Sequence, residues 1–172
     1  MSAGYLSPRL LAGADRLDAF ECRSEEQTIW LRKHARQAHV RGGSSRVFVV
    51  TEAGNCDVVA YYAWCMASIT PTQAPLRLRK GAGRYPQPVA LLARLGVDLH
   101  HEGRGLGAAL LADVLSRTAQ IGSEVGCRGL LVHAESAAAR KFYLHLIPEF
   151  EPSPTDPLHL VLLMKDILRT LG

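Results

Sequence analysis

The chain has 172 residues, is 48% hydrophobic and carries a formal net charge of +4 at pH 7. This is the size and composition of one domain with a full hydrophobic core. No apolar run approaches the roughly 20 residues that cross a bilayer, the N-terminus has no signal-peptide pattern, and the four cysteines form no C-x-x-C pair. We therefore expect a single domain over residues 1–172 in the cytoplasm, without a membrane segment, a disulfide framework or a zinc site.

The first third of the chain predicts a helix between short strands. Residues Asp15–Phe20 are typical of a short helical turn. Ser24 with Gln27 three positions later forms a capping arrangement, which predicts a helix that runs to about Val40. A Gly-Ser stretch then breaks the helix, and Val-rich segments follow around a turn at residues 53–55. The predicted strands of this part are residues 7–11, Arg46–Thr51 and Val58–Ser68.

The middle of the chain predicts a long loop and then a central strand. Prolines, glycines and basic residues fill the segment from Thr70 to Pro88, which indicates an irregular loop on the substrate side. The apolar run Val89–Leu99 predicts a strand covered on both faces. A helical stripe over Leu106–Val125, with Gly126 just past its end, predicts the main helix.

The last third of the chain alternates strands and helices, so that antiparallel strands come first and a β–α–β unit later. This order predicts an α/β fold with a mixed sheet. The expected elements are a strand at Gly129–His133, a helix at Ala137–Leu146 capped by Ser136 and ended by Pro148, a strand at Leu158–Met164, and a tail or helical turn at Asp166–Leu171.

A Gly-rich stretch from His100 to Gly107 lies between the predicted central strand and the main helix. A strand that runs through such a turn into a helix presents free backbone N–H groups to an anion, so we expect a diphosphate site. The stretch also satisfies the dinucleotide pattern G-x-G-x-x-G/A, but Glu124 at the expected acidic spacing falls inside a helix. A P-loop is excluded, because Ala108 and Ala109 stand where Lys and Ser/Thr are required. His100, His101 and Glu102 have no further ligands at metal-site spacing, so no metal is expected.

Two motifs resemble those of the GNAT N-acetyltransferases. Residues 97–98 and 102–107, followed by Leu110-Leu111, resemble the acetyl-CoA loop Q/R-x-x-G-x-G/A of that superfamily. Residues 139–143 resemble its A-x-x-F-Y helix. Three further stretches, at residues 18–22, 30–35 and 88–98, narrow the resemblance to the GNAT toxins of type II toxin–antitoxin modules, which acetylate the amino group of aminoacyl-tRNA.

The resemblance implies an α/β (α+β) fold with a mixed, mostly antiparallel sheet of six to seven strands flanked by helices. It implies acetyl-CoA as co-substrate, with no metal. Tyr143 matches the tyrosine that protonates the departing thiolate, a general-acid step. The chain departs from the motifs at Glu102, where Gln or Arg is usual, and at Pro148-Glu149, where Gly is usual. The implied coenzyme-binding residues are Leu95, Gly96 and Val97 for the pantetheine arm, and Glu102, Gly103, Arg104, Gly105, Leu106 and Gly107 for the pyrophosphate.

The resemblance also implies three partners, which are aminoacyl-tRNA, a cognate antitoxin protein and a second copy of the chain in a homodimer. Basic side chains on two elements are hypothesised to hold tRNA phosphates. No general base stands out, and His100, His101 and His133 lie at predicted strand ends. Acetylation of a small amine or a protein lysine, a nicotinamide-dependent oxidoreductase, and a GNAT-like module without activity are the alternatives. The basic residues of the hypothesis are Arg77, Arg79, Lys80, Arg84, Lys33 and Arg36.

Overall fold

The computed structural model describes residues 4–172, in which strands and helices alternate along most of the chain. The strands are β1 (Arg9–Leu10), β2 (Arg46–Thr51), β3 (Val58–Ile69), β4 (Gln87–Val97), β5 (Gly129–His133), β6 (Glu151–Ser153) and β7 (Asp156–Leu163). The helices are α1 (Glu25–Lys33), α2 (Ala35–His39), α3 (Leu76–Arg79), α4 (Leu106–Gly122), α5 (Ala137–Leu146) and α6 (Met164–Leu171), with a 3₁₀ turn at Leu99–His101.

The described strands form a seven-stranded sheet in the order β1-β2-β3-β4-β5-β7-β6. The pairs β1–β2, β2–β3, β5–β7 and β6–β7 are antiparallel, whereas β4 pairs with β5 in parallel. The mixed, mostly antiparallel sheet of six to seven strands that the resemblance implied is thus confirmed. Over residues 4–172, no helix is both long and apolar enough to span a membrane.

The chain divides into two compact units. The first consists of the chain up to Cys65 together with Ala93–Asp113, and the second of Met66–Leu92 together with Val114–Gly172. Strands β3 and β4 and helix α4 each contribute residues to both units. The expectation of a single domain stays a prediction.

The first unit has its core on one face of β2 and β3. Val47 and Val49 of β2 are fully buried and belong to one cluster with Phe20 and Tyr61, because alternate residues of a strand share a face. The Tyr61 ring meets Phe20 edge-on at 5.4 Å between centroids and stacks on Trp30 of α1 at 6.0 Å. This packing fixes α1 and the segment that precedes it against the sheet.

The second unit is built on β5 and its neighbours. Parallel pairing joins Ala90–Leu92 of β4 to residues 130–132 of β5, and β4 then continues to Val97. On its other side β5 pairs with β7 from Gly129↔Leu163 to His133↔His159. Strand β5 is apolar and buried except at His133, as expected for a strand with neighbours on both sides.

Two helix predictions in the first unit are wrong. Asp15–Phe20 contains no helix, because its backbone pairs with the chain before β3: Arg16 N–H donates to the carbonyl of Cys56, and Val58 N–H donates to the carbonyl of Arg16. The helix predicted to run unbroken to Val40 is interrupted at His34, whose φ of −121° lies outside the helical range.

Three predictions in the second unit need correction. The long loop contains a helical turn, α3, which follows Pro75 and buries Leu78 completely. Strand β6 was not predicted, since three residues that include Pro152 carry almost no strand signal of their own. The tail forms a complete helix, α6, that begins at Met164.

Candidate active site

The end of β4 is the first part of the candidate coenzyme site. Gly96 is buried, and a Cβ added there would lie 3.1 Å from the Tyr61 ring and 3.3 Å from both Cys22 and Phe20. Glycine therefore lets β4 lie close against this cluster, while its neighbours Leu95 and Val97 are partly exposed. The structure thus keeps the backbone of residues 95–97 in an extended strand that ends at the turn.

Asp98 organises the turn that follows β4. Its side chain accepts a hydrogen bond from the backbone N–H of His100 at 2.8 Å and another from the backbone N–H of Glu21 at 3.0 Å. Burial raises the pKa of this carboxyl, but the N–H groups of Glu21 and His100 outweigh that effect and hold its pKa below the usual value. A charged, buried cap thus fixes the 3₁₀ turn at Leu99–His101.

Residues 102–107, which we call the phosphate loop, lead from this turn into α4. Gly103 and Gly105 have φ angles of +74° and +81°, a conformation that L side chains rarely adopt. Nothing lies within 4 Å of a Cβ added at either glycine, so the loop is open on that side. Leu106 is 1% exposed and anchors the first turn of α4, whose leading N–H groups have no helical acceptors. The loop therefore fits a diphosphate.

Charged side chains surround the phosphate loop. Glu102, the residue that departs from the motif, pairs with the Nε of Arg23 at 2.7 Å. Arg104 donates to the hydroxyl of Tyr5 at 2.7 Å, and that hydroxyl lies 2.6 Å from Nδ1 of His101. Sequence reasoning missed Arg23 and Tyr5, because they lie 79 and 96 residues from their partners Glu102 and His101 and no local pattern marks such contacts.

Tyr143 lies on α5, which begins where Ser136 accepts a hydrogen bond from the N–H of Ala139. Its side chain is 6% exposed and packs edge-on against Phe150, 6.0 Å away between ring centroids. Within residues 4–172 its hydroxyl has no hydrogen-bond partner. Burial, and to a lesser extent the negative charge of Glu135, raises the pKa of this phenol, so that it stays protonated at neutral pH.

The segment after Tyr143 contains Pro148-Glu149, where the family motif usually has Gly. Helix α5 ends at Leu146, and the N–H of Ile147 still donates to the carbonyl of Tyr143 at 2.9 Å. Two residues beyond Pro148, the chain turns back so that Phe150 is buried beside the Tyr143 ring. Phe150, which follows Pro148-Glu149, thus packs against the ring of the candidate acid.

The histidines considered as proton relays have structural partners. His100 is bonded to Asp98 through its backbone and its ring, and His101 to Tyr5. The ring of His133 stacks on that of His159 at 3.9 Å. Burial, and secondarily the neighbouring His159, lowers the pKa of His133. His133 is therefore a neutral imidazole at physiological pH.

The basic residues hypothesised to hold tRNA divide into two groups. Arg77 pairs with Glu151 at 2.8 Å and with the buried Asp166 at 2.9 Å, and Arg36 donates to backbone carbonyls of the loop before α1. These two side chains have partners in the fold. The other four members of the set are exposed and make no ion pair or hydrogen bond within residues 4–172; they are Arg79, Lys80, Arg84 and Lys33.

Residues 16–146 match the family described as acetyltransferase (GNAT), and the chain belongs to this family of acetyl-CoA-dependent acetyltransferases. A tRNA-acetylating toxin of Mycobacterium tuberculosis is 44% identical to it over 170 residues, which are 99% of each chain. No group of three or more potential metal ligands occurs in the described part of the chain.

Solved structures of the toxin AtaT have the same fold. AtaT complexed with acetyl-methionyl-tRNAfMet has a TM-score of 0.86 at 24% identity, over 96% of this chain and 99% of that one. A mutant AtaT bound to the C-terminus of the antitoxin AtaR and to acetyl-CoA has a TM-score of 0.79 at 24% identity, over 95% of this chain and 96% of that one.

Proposed function

We propose that the chain is a toxin that transfers the acetyl group of acetyl-CoA to the α-amino group of an aminoacyl-tRNA and so blocks translation. The observation that carries this proposal is the 44% identity to a tRNA-acetylating toxin over 99% of both chains. Likeness over that whole length extends beyond the coenzyme motif, which many GNAT enzymes with other acceptors share.

The phosphate loop and the end of β4 are the proposed coenzyme site. Backbone N–H groups of Glu102, Gly103, Arg104, Gly105, Leu106 and Gly107 would hold the pyrophosphate. The backbone of Leu95, Gly96 and Val97 would hold the pantetheine arm and polarise the reacting carbonyl, as an oxyanion hole does. Acetyl-CoA supplies the activated acetyl thioester when it is bound. The positive-φ glycines and the open side of the loop support this assignment.

Tyr143 is the proposed general acid. Its hydroxyl holds a proton at neutral pH because burial raises its pKa, and no residue among 4–172 engages that hydroxyl, which leaves it available to the departing sulfur. A dedicated base is not required to create the nucleophile, because esterification lowers the pKa of an α-amino group and a substantial fraction of it is neutral near physiological pH. The neutral nitrogen forms the C–N bond as the C–S bond breaks, Tyr143 gives its proton to the departing sulfur, and the proton that the nitrogen then loses passes to solvent. Correct positioning then supplies much of the rate enhancement.

Basic side chains are proposed to hold the tRNA backbone. The unpaired and exposed Arg79, Lys80 and Arg84 follow one another within a short segment of the second unit, and Lys33 lies on α1 in the first. Arg77 and Arg36 have carboxylate or carbonyl partners within the fold, so they are the weaker candidates of the original set. Lysine and arginine contacts to phosphate give affinity without reading sequence.

A cognate antitoxin and a second copy of the chain are the proposed protein partners, and the cytoplasm is the proposed location, since the substrate is used there. Size-exclusion chromatography with light scattering tests the dimer. A mass of about twice 18.8 kDa is expected, and a mass of one chain at micromolar concentration contradicts it.

A reconstituted translation reaction tests the proposed function. Addition of the purified chain with acetyl-CoA should stop protein synthesis, whereas addition of the chain with coenzyme A, which has no acetyl group to give, should not. Unimpaired synthesis in the presence of both chain and acetyl-CoA contradicts the proposal.

A further inference from the structure

The carboxylate of Glu102 is the one group of the phosphate loop that opposes the proposed ligand. A negative side chain beside a diphosphate repels it, and solvent only partly screens that repulsion at short range. The resemblance predicts Gln or Arg at this position, either of which would donate hydrogen bonds to an anion. A loop with an unopposed Glu102 would therefore be a poor coenzyme site.

Arg23 meets this carboxylate directly. Its Nε donates to Oε2 of Glu102 at 2.7 Å, which places a positive charge against the negative one. The Arg23 side chain is 81% exposed and that of Glu102 is 34% exposed, so the pair lies at the surface, where a ligand from solution reaches it. Neither terminal nitrogen of Arg23 has a hydrogen-bond partner within residues 4–172.

The backbone on both sides of Arg23 is held by hydrogen bonds, which keep the residue beside the turn. On one side, Glu21 donates its N–H to the carboxylate of Asp98 at 3.0 Å and accepts a hydrogen bond from the N–H of Leu99 at 2.9 Å. On the other side, Ser24 caps α1 by accepting from the N–H of Gln27. The segment before α1 is thus tied to the turn before the phosphate loop.

We propose that Arg23 is a positioning residue of the coenzyme site, which cancels the charge of Glu102 and thereby makes the phosphate loop acceptable to a pyrophosphate. The proposal rests on the proposed use of acetyl-CoA. An exposed ion pair contributes little to folding stability, so substitution of Arg23 should leave the fold intact, and its expected effect is on ligand affinity.

Equilibrium binding of coenzyme A, the unreactive product, to the full chain tests this proposal by calorimetry at low and at physiological salt. Arg23→Gln leaves Glu102 unopposed, and we expect affinity to fall about three- to tenfold, with a smaller loss at higher salt. The KM for acetyl-CoA should rise by a similar factor, while kcat stays unchanged. The double variant Arg23→Gln/Glu102→Gln should recover affinity to within about twofold of the unsubstituted chain.

The matched control is Arg16→Gln. Arg16 forms a similar exposed ion pair with Asp57, at 2.8 Å through its Nε, and also donates to Asn55 at 3.3 Å, but it has no hydrogen bond or ion pair with the phosphate loop. Its substitution should leave coenzyme affinity unchanged, and thermal unfolding should be alike for all variants. A merely structural Arg23 would not show rescue by removal of the Glu102 charge.

Two outcomes overturn the proposal: normal coenzyme affinity in Arg23→Gln, or a double variant that binds as weakly as the single one. If either occurs while the unsubstituted chain still acetylates aminoacyl-tRNA, only the proposed role of Arg23 is contradicted. If the unsubstituted chain binds no coenzyme A, both the proposed function and the proposed role of Arg23 are contradicted.

Discussion

The surroundings of Tyr143 fit its proposed role as the general acid. The ring packs against Phe142 and Phe150, whereas the hydroxyl is bonded to nothing within residues 4–172. Packing thus fixes the ring without engaging the oxygen. Because burial raises the pKa of the phenol, the hydroxyl is protonated at neutral pH, as the proposed general acid must be.

Tyr143→Phe should separate catalysis from folding. The ring and its packing remain, and we expect the melting temperature and the affinity for coenzyme A to stay unchanged. Loss of the proton should lower kcat about 10²- to 10⁴-fold. Single-turnover acetylation of a charged tRNA, monitored with labelled acetyl-CoA, measures the effect, and a rate within threefold of the unsubstituted chain would rule out Tyr143 as the acid.

Asp98 gives the turn before the phosphate loop a dependence on pH. Because the folded-state pKa of Asp98 lies below its usual value, its contribution is fully present above the unfolded-state pKa of about 4 and is lost as pH falls through the folded-state pKa. Asp98→Asn should cost about 1–3 kcal/mol at pH 7, since two backbone N–H groups lose a charged acceptor.

Thermal unfolding of both proteins between pH 7 and pH 2 measures this effect. The difference in melting temperature between the unsubstituted chain and Asp98→Asn should be constant down to about pH 5 and should shrink below pH 4. A difference that stays constant into the acid range would show that the charge of Asp98 is not what stabilises the turn.

At the scale of elements, the phosphate loop depends on the conformation of its glycines. Gly105→Ala places a Cβ at a φ of +81° without any steric contact, so its cost arises from the backbone and is about 1–2 kcal/mol. Relief of that strain moves the N–H groups of the loop, and we expect coenzyme affinity to fall about tenfold.

Gly126→Ala is the control for this substitution. Gly126 also has open space around an added Cβ, but it has no positive φ, so both stability and coenzyme affinity should stay near the values of the unsubstituted chain. Calorimetric titration with coenzyme A compares the two variants. Equal affinities would show that coenzyme binding does not depend on glycine at the positive φ of residue 105.

The elements that the sequence predicts well are those whose signals are contiguous. The phosphate loop needs Gly103, Gly105 and the start of α4, which are adjacent in the chain. Arg23 and Tyr5 escape prediction because only the fold brings them to the loop, across 79 residues to Glu102 and 99 residues to Arg104. Strand β6 is not predicted for a related reason, because its three residues form a strand through their pairing with β7.

At the scale of the whole molecule, part of the basic surface serves the fold and part is available to a ligand. Arg77 neutralises Asp166, which is 1% exposed, so its charge is already matched within the second unit. The pKa of its guanidinium is raised by the hydrogen bonds to Asp166 and Glu151. Lys80 and Arg84 have no such partner in residues 4–172, and these two are the better test of RNA binding.

Lys80→Gln/Arg84→Gln should weaken the affinity for tRNA several-fold and reduce the slope of log affinity against log salt by about one for each lost phosphate contact. Coenzyme affinity should not change. Filter binding over a range of salt concentrations measures the slope. Arg41→Gln, which removes an exposed charge after α2, is the control. An equal reduction of the salt slope in both variants would contradict the assignment of Lys80 and Arg84 to tRNA binding.

The proposed acceptor is the amino group of an aminoacyl-tRNA. The most direct test of this proposal is incubation of the chain with labelled acetyl-CoA and charged total tRNA, release of the esterified amino acids, and their mass spectrometry. We expect one or more labelled N-acetyl amino acids, which Tyr143→Phe should reduce at least 100-fold. Labelling of a small amine or a protein lysine, with no N-acetyl amino acid released from tRNA, would contradict the proposal.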